Sequence, residues 1–154
     1  MASSYRLPDE PRPSGLVRFS VDPMWPLLAV MLAGPWLSWT WFVFNAWALG
    51  SASRVRESVY AVGGFLGGLV LYVLILVLLA GFSLPDGWVP YLVTLLTIWK
   101  IGVSYAILRL QRQGFELFAW YGGKPLNGAW LLFAGFLLRS RAAGLFGELA
   151  AVLL

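Results

Sequence analysis

Between Val59 and Phe82 the chain carries no charged side chain, and a run of that length and character leaves few folding options. At ~1.5 Å of rise per residue, about 20 apolar residues cross a hydrocarbon core ~30 Å thick. Inside such a core the backbone N–H and C=O groups have to be satisfied internally, which makes a helix the natural form of an apolar run. The sequence therefore predicts a membrane-spanning helix over about 58–82.

The rest of the chain agrees. Hydrophobic residues make up 60% and charged residues 12%, against about 45–50% and about 25% in soluble domains. The excess is spread along most of the sequence, so a cleaved leader does not explain it. Residues 1–22 differ: Pro8, Pro11, Pro13 and Gly15 oppose a helix, large apolar side chains are few, and there is no compact apolar run of the signal-peptide type. We expect a flexible, polar, proline-rich tail over 1–22, followed by a single all-α integral membrane domain over 23–154. Its helical segments are predicted at about 24–49, 58–82, 88–110 and 128–154.

The segment 24–49 contains Pro26 and the pair Gly34–Pro35. Pro35 lacks a donor and its ring crowds the carbonyl of Met31, so a kink or break is predicted there. A kinked full span is expected, since membrane helices tolerate proline where neighbours re-satisfy the freed carbonyl; a re-entrant pair of half-helices is the alternative. Ser83-Leu84-Pro85-Asp86-Gly87 reads as a tight turn, which makes 58–82 and 88–110 an antiparallel hairpin. From Arg109 to Asn127 an amphipathic connector follows, in which Arg109, Gln111, Arg112 and Gln113 precede Phe115, Phe118, Trp120 and Tyr121, with Gly122-Gly123-Lys124-Pro125 as its breaker. In the segment 128–154 the first apolar run ends at Leu138, before Arg139-Ser140-Arg141. Ser140, Arg141, Gly144, Gly147 and Glu148 share one helical face, and Ala142, Leu145, Phe146, Leu149 and Leu153 the other, a pattern that suits an interfacial helix or one lying against the bundle, with a tilted span as the alternative.

Basic residues flank the apolar segments instead of forming a run, which argues for membrane orientation and against nucleic-acid binding. The turn 83–89 holds no Lys or Arg and is expected on the non-cytoplasmic side. The loops 50–57, with Arg54 and Arg56, and 109–127, with Arg109, Arg112 and Lys124, are expected in the cytoplasm. A spanning 24–49 would place Arg6, Arg12 and Arg18 outside, against the rule; a re-entrant one keeps them inside. Arginine outnumbers lysine nine to two, a usage common in GC-rich bacterial genomes, and a bacterial cytoplasmic membrane is the expected location.

With no Cys and no His, disulfides, thiolate or imidazole metal sites and His-based nucleophile pairs are excluded. The acids Asp9, Glu10, Asp22, Glu57, Asp86, Glu116 and Glu148 are dispersed along the sequence. No catalytic residue, metal site or cofactor is expected. Three features remain as candidates. Lys100 lies mid-segment with Thr97 and Ser104 on its face and Gln111 further along, a polar site whose internal counter-charge would be Glu148. Gly63, Gly64, Gly67 and Gly68 form two small-xxx-small pairs suited to close helix packing. Trp36, Trp39 and Trp41 are candidates for contact with lipid or an apolar ligand, while Trp25 and Trp47 are placed as anchors near the two ends of their segment. Together these lead us to expect a non-catalytic multi-pass subunit or scaffold, in contact with the bilayer and with copies of itself or other membrane subunits. The alternative is a small transporter or channel with a polar path around Lys100.

Overall fold

The computed structural model describes residues 14–81 and 86–146. Among them it contains five α-helices: α1 Met24–Leu32, α2 Pro35–Ala48, α3 Arg54–Gly81, α4 Val89–Trp120 and α5 Ala129–Phe146. Single 3₁₀ turns occupy Val17–Phe19 and Asp86–Trp88. The expected tail residues 1–13, the first part of the 83–89 turn and Glu148 lie outside the described residues.

The segment 24–49 is not one kinked helix. It breaks at Gly34, whose φ of 98° and ψ of 169° belong to a region that only glycine occupies readily, and Pro35 then starts α2 with its fixed φ. The chain reverses at that point. Ser38 Oγ donates to the carbonyl of Pro26 at 2.6 Å. Asn45 Nδ2 donates to Val21 O at 2.8 Å while its Oδ1 accepts from Val21 N at 3.2 Å. Ser14 N donates to Ala48 O at 2.9 Å. The pairings 26/38, 21/45 and 14/48 define two antiparallel half-helices that enter and leave at the same end. At ~1.5 Å per residue α1 and α2 reach only about 14 and 21 Å, so the one kinked helix of the first expectation is replaced by two short antiparallel helices. One consequence is that Trp25 and Trp47 stand at the same end, not at opposite ends.

α2 stops in a Schellman motif: Gly50 N bonds to Trp47 O at 3.3 Å and Ser51 N to Ala46 O at 3.0 Å, with Gly50 at φ 64° supplying the left-handed residue that closes it. α3 then runs back along α2, and α4 returns along α3. Val103 and Trp39 face Gly64, Trp99 faces Gly67, and Trp99 Nε1 donates to Gly64 O at 3.0 Å; the predicted antiparallel hairpin is present. α4 extends beyond the predicted 110 to Trp120, because the stretch after Arg109 contains no breaker stronger than the isolated Gly114 until Gly122-Gly123.

α5 rises beside α1 in the same direction. Gly128 lies against Trp25 and Gly135 against Ala33 and Leu37, and Arg139 Nη1 donates to Leu32 O at 3.1 Å. This places its first half against the bundle. The base of the connector is pinned where Leu126 N donates to Ser20 O at 2.8 Å. The core forms where the α1/α2 hairpin meets the basic-end halves of α3 and α4: Trp39, Phe42, Ala61, Ile107 and Leu108 are buried, with Leu27, Val43, Phe65 and Val103 packed against them. Beyond it α3 and α4 are mostly bare, with only 17% and 22% of their most apolar windows buried. Both are long and apolar enough to cross a membrane.

Candidate functional site

The predicted polar face of α4 divides in the structure. Thr97 is exposed and its Oγ1 donates to Val93 O of its own helix at 3.3 Å. Lys100 is half-buried, with Arg139 within electrostatic reach. Ser104 is buried; its hydroxyl donates to Lys100 O at 2.8 Å and accepts the Trp39 indole N–H at 2.8 Å. Gln111 is buried too, but Ile107 and Leu108 fill the turn between it and Ser104. The face is therefore a half-buried cation above an indole–hydroxyl pair, separated by apolar packing from a second polar centre.

The tryptophans have separate surroundings. Trp39 is core, edge-on to Phe65 with ring centroids 4.6 Å apart. Trp36 Nε1 caps Ala33 O at 2.6 Å. Trp41 packs on Phe44 and edge-on to Trp130, with centroids at 5.3 and 5.7 Å. The glycines also separate. A Cβ on Gly64 would stand 2.8 Å from Val103 Cγ1 and 2.9 Å from the Trp39 ring, and one on Gly67 would strike the Trp99 ring, whereas Gly63 meets nothing within 4 Å. Gly68 is buried. Gly64 and Gly67 thus serve packing within the chain. Gly63 opens, with Gly102 and Ala106, onto an apolar groove of about 570 Å³ between α3 and α4, walled by Tyr60, Ile98 and Trp99.

The second polar centre was not singled out from sequence. Glu57, one turn into α3, has 0% of its surface exposed. Its Oε1 accepts Ser51 Oγ at 2.9 Å and Ser53 Oγ at 2.7 Å, and its Oε2 accepts Gln111 Nε2 at 2.7 Å. The same Gln111 nitrogen donates to Phe42 O at 2.9 Å, which fixes the amide orientation, since both neighbours of that nitrogen are acceptors. Gln111 Oε1 is left buried with no hydrogen bond among the described residues. Each partner is positioned by local structure. Ser51 is the residue that closes the Schellman turn of α2, Ser53 immediately precedes α3, and Gln111 comes from the opposing arm. Gly114 of α4 passes beside that turn, where a Cβ would stand 3.5 Å from Ser51 Oγ, an ordinary contact distance.

Glu57 reads in sequence as one of the charges flanking a span, because it sits beside Arg54 and Arg56. A signal for its burial does exist. The hairpin register that pairs 64 with 103 and 67 with 99 also pairs 57 with 111, so an amide faces the acid across the hairpin. Its neighbours point elsewhere: the Arg54 guanidinium lies over the Trp47 ring at 4.8 Å, and Arg112 pairs with Glu116 at 2.9 Å on the surface. Among the described residues no three acids, His or Cys gather at one place, so the centre offers hydrogen bonding and a single negative charge. Comparison of the chain with protein-family models, curated proteins and solved structures returns no match.

Proposed function

We propose that this chain is a non-catalytic, multi-pass subunit of a bacterial cytoplasmic membrane that acts by helix packing, foremost with a second copy of itself. The observation that carries the reading is the exposure of α3 and α4: helices of this apolarity in a soluble fold would be core, yet less than a quarter of either apolar window is covered. Lipid and neighbouring helices are the surroundings that such surfaces suit.

The charges support an orientation. With the α1/α2 hairpin re-entrant, Arg18 joins Arg54, Arg56, Arg109, Arg112 and Lys124 at one end of the bundle, and that end is cytoplasmic under the positive-inside rule. The turn around Asp86–Trp88 is then external.

The groove floored by Gly63, Gly102 and Ala106 is the surface proposed for self-association. Small residues admit close backbone approach, which is how helices associate where no hydrophobic drive operates. The test is particle size in detergent for wild type and for a Gly63→Leu/Gly102→Leu variant. A dimer that the double substitution dissociates supports the reading. A monomeric wild type sinks self-association, and a stoichiometric partner recovered from native membranes would reassign the surface to another subunit.

A second reading, a small transporter or channel, is favoured by one observation: α1 and α2 are half-length helices broken at a glycine, and discontinuous helices often bound substrate or ion sites in transporters. In reconstituted vesicles Lys100→Leu would abolish flux while leaving assembly intact under this reading.

A further inference from the structure

A fully buried carboxylate is strongly disfavoured unless something neutralises it. Among the described residues Glu57 forms no ion pair: Arg54 lies over the Trp47 ring and Arg56 is exposed. Its hydrogen bonds come from two hydroxyls and one amide, all neutral. We infer that the centre formed by Ser51, Ser53, Glu57 and Gln111 is a binding site for a monovalent cation of the sodium class.

The donor set fits that ion. Every atom with a free lone pair here is a hard oxygen: the two Glu57 oxygens, the hydroxyls of Ser51 and Ser53, and the amide oxygen of Gln111, which is buried and lacks any other partner. The backbone adds two carbonyls beside the ligand side chains, Phe42 O at 2.9 Å from Gln111 Nε2 and Leu110 O at 3.4 Å from Ser53 Oγ. Hard oxygen sites select alkali and alkaline-earth cations over softer metals. One carboxylate among neutral oxygens balances a single positive charge, whereas a divalent ion would leave one unit of charge uncompensated in a buried place.

The side chains can turn their lone pairs toward an ion. Serine hydroxyls are rotors: turning their protons away from Glu57 presents lone pairs to the cation. The helix ends have complementary parts. α3 begins at the cluster, and α2 ends there with its carbonyls, whose partial negative charge favours a cation. Pairing of unwound or terminal helix carbonyls with an ion is a recurring device where broken helices enter a membrane. The site lies apart from Lys100 and Arg139, which would repel the same ion.

Thermal unfolding of the purified full-length chain in detergent, in sodium, potassium or choline chloride at equal ionic strength, tests the assignment. The wild type melts highest in sodium, and each tenfold rise in sodium above its dissociation constant adds about 3–5 °C. Glu57→Gln keeps the shape and removes the charge, and its melting becomes independent of the cation. Should that variant fail to fold, Ser53→Ala decides the matter by moving the sodium dependence to higher concentration. Identical melting of the wild type in all three salts overturns the assignment, as does a sodium dependence that either variant leaves unchanged. A wild type that responds to pH and ignores the cation gives the neutralising charge to a proton, and equally overturns it.

Discussion

Adjacent glycines of α3 offer a direct test of how the helices pack. Gly63→Ala and Gly64→Ala make the same chemical change one residue apart on one helix. In a helix interior the alanine is favoured over glycine by about 1 kcal/mol, a gain common to both variants that cancels when they are compared. The difference that remains is the space each methyl enters. At Gly63 a Cβ meets nothing within 4 Å; at Gly64 it stands 2.8 Å from Val103 Cγ1 and 2.9 Å from the Trp39 ring. Carbon atoms rest at about 3.5–4.0 Å, so α3 has to back away from two neighbours at once. Trp39 cannot yield easily, since its indole N–H is bonded to Ser104 and its ring packs edge-on against Phe65. Overpacking of this kind costs about 1–3 kcal/mol, so Gly64→Ala is expected to be less stable than Gly63→Ala by that amount, with Gly63→Ala at or above the wild type. Equilibrium unfolding in mixed micelles, followed by far-ultraviolet circular dichroism and tryptophan emission, measures the difference. Variants that unfold within about 0.5 kcal/mol of one another would refute the close approach of α3 to α2 and α4.

Two further substitutions probe the α1/α2 hairpin. Asn45→Ala removes both bonds to the Val21 backbone, and at about 1–3 kcal/mol for each buried polar group left unpaired the loss should total about 2–6 kcal/mol and expose the 14–22 segment to limited proteolysis; unchanged cleavage would count against the pairing. Gly34→Ala forces an L side chain into the conformation at φ 98°, at about 1–3 kcal/mol, and a variant as stable as the wild type would mean that the chain does not reverse there.

Much of the architecture was legible because it rests on strong local signals. The uncharged run after Ser58 and the Gly34–Pro35 break each leave the backbone little choice. The break itself did not say whether the chain bends or reverses. That depends on Ser38 reaching Pro26 and Asn45 reaching Val21, bonds between residues far apart in sequence; the basic residues of the tail carried the only local hint. The same limit hid Glu57. Its burial follows from the register of α3 on α4 and from the Schellman turn that delivers Ser51, and neither is a property of the seven residues around it. The extension of α4 to Trp120 was missed for a simpler reason: polar and aromatic residues mark an interface, but they do not end a helix, and only Gly122 and Gly123 do.

The central claim is that α1 and α2 return to the side on which they began, leaving α3 and α4 to cross. The chain has no cysteine, so single cysteines placed at Ser14, Ala52, Gly87 and Gln113 report sidedness without background. In membrane vesicles of known orientation, a membrane-impermeant maleimide should label positions 14, 52 and 113 from the cytoplasmic face and position 87 from the opposite face. Labelling of 14 and 52 from opposite faces would contradict the re-entrant hairpin, and labelling of 52 and 87 from the same face would contradict the crossing of α3.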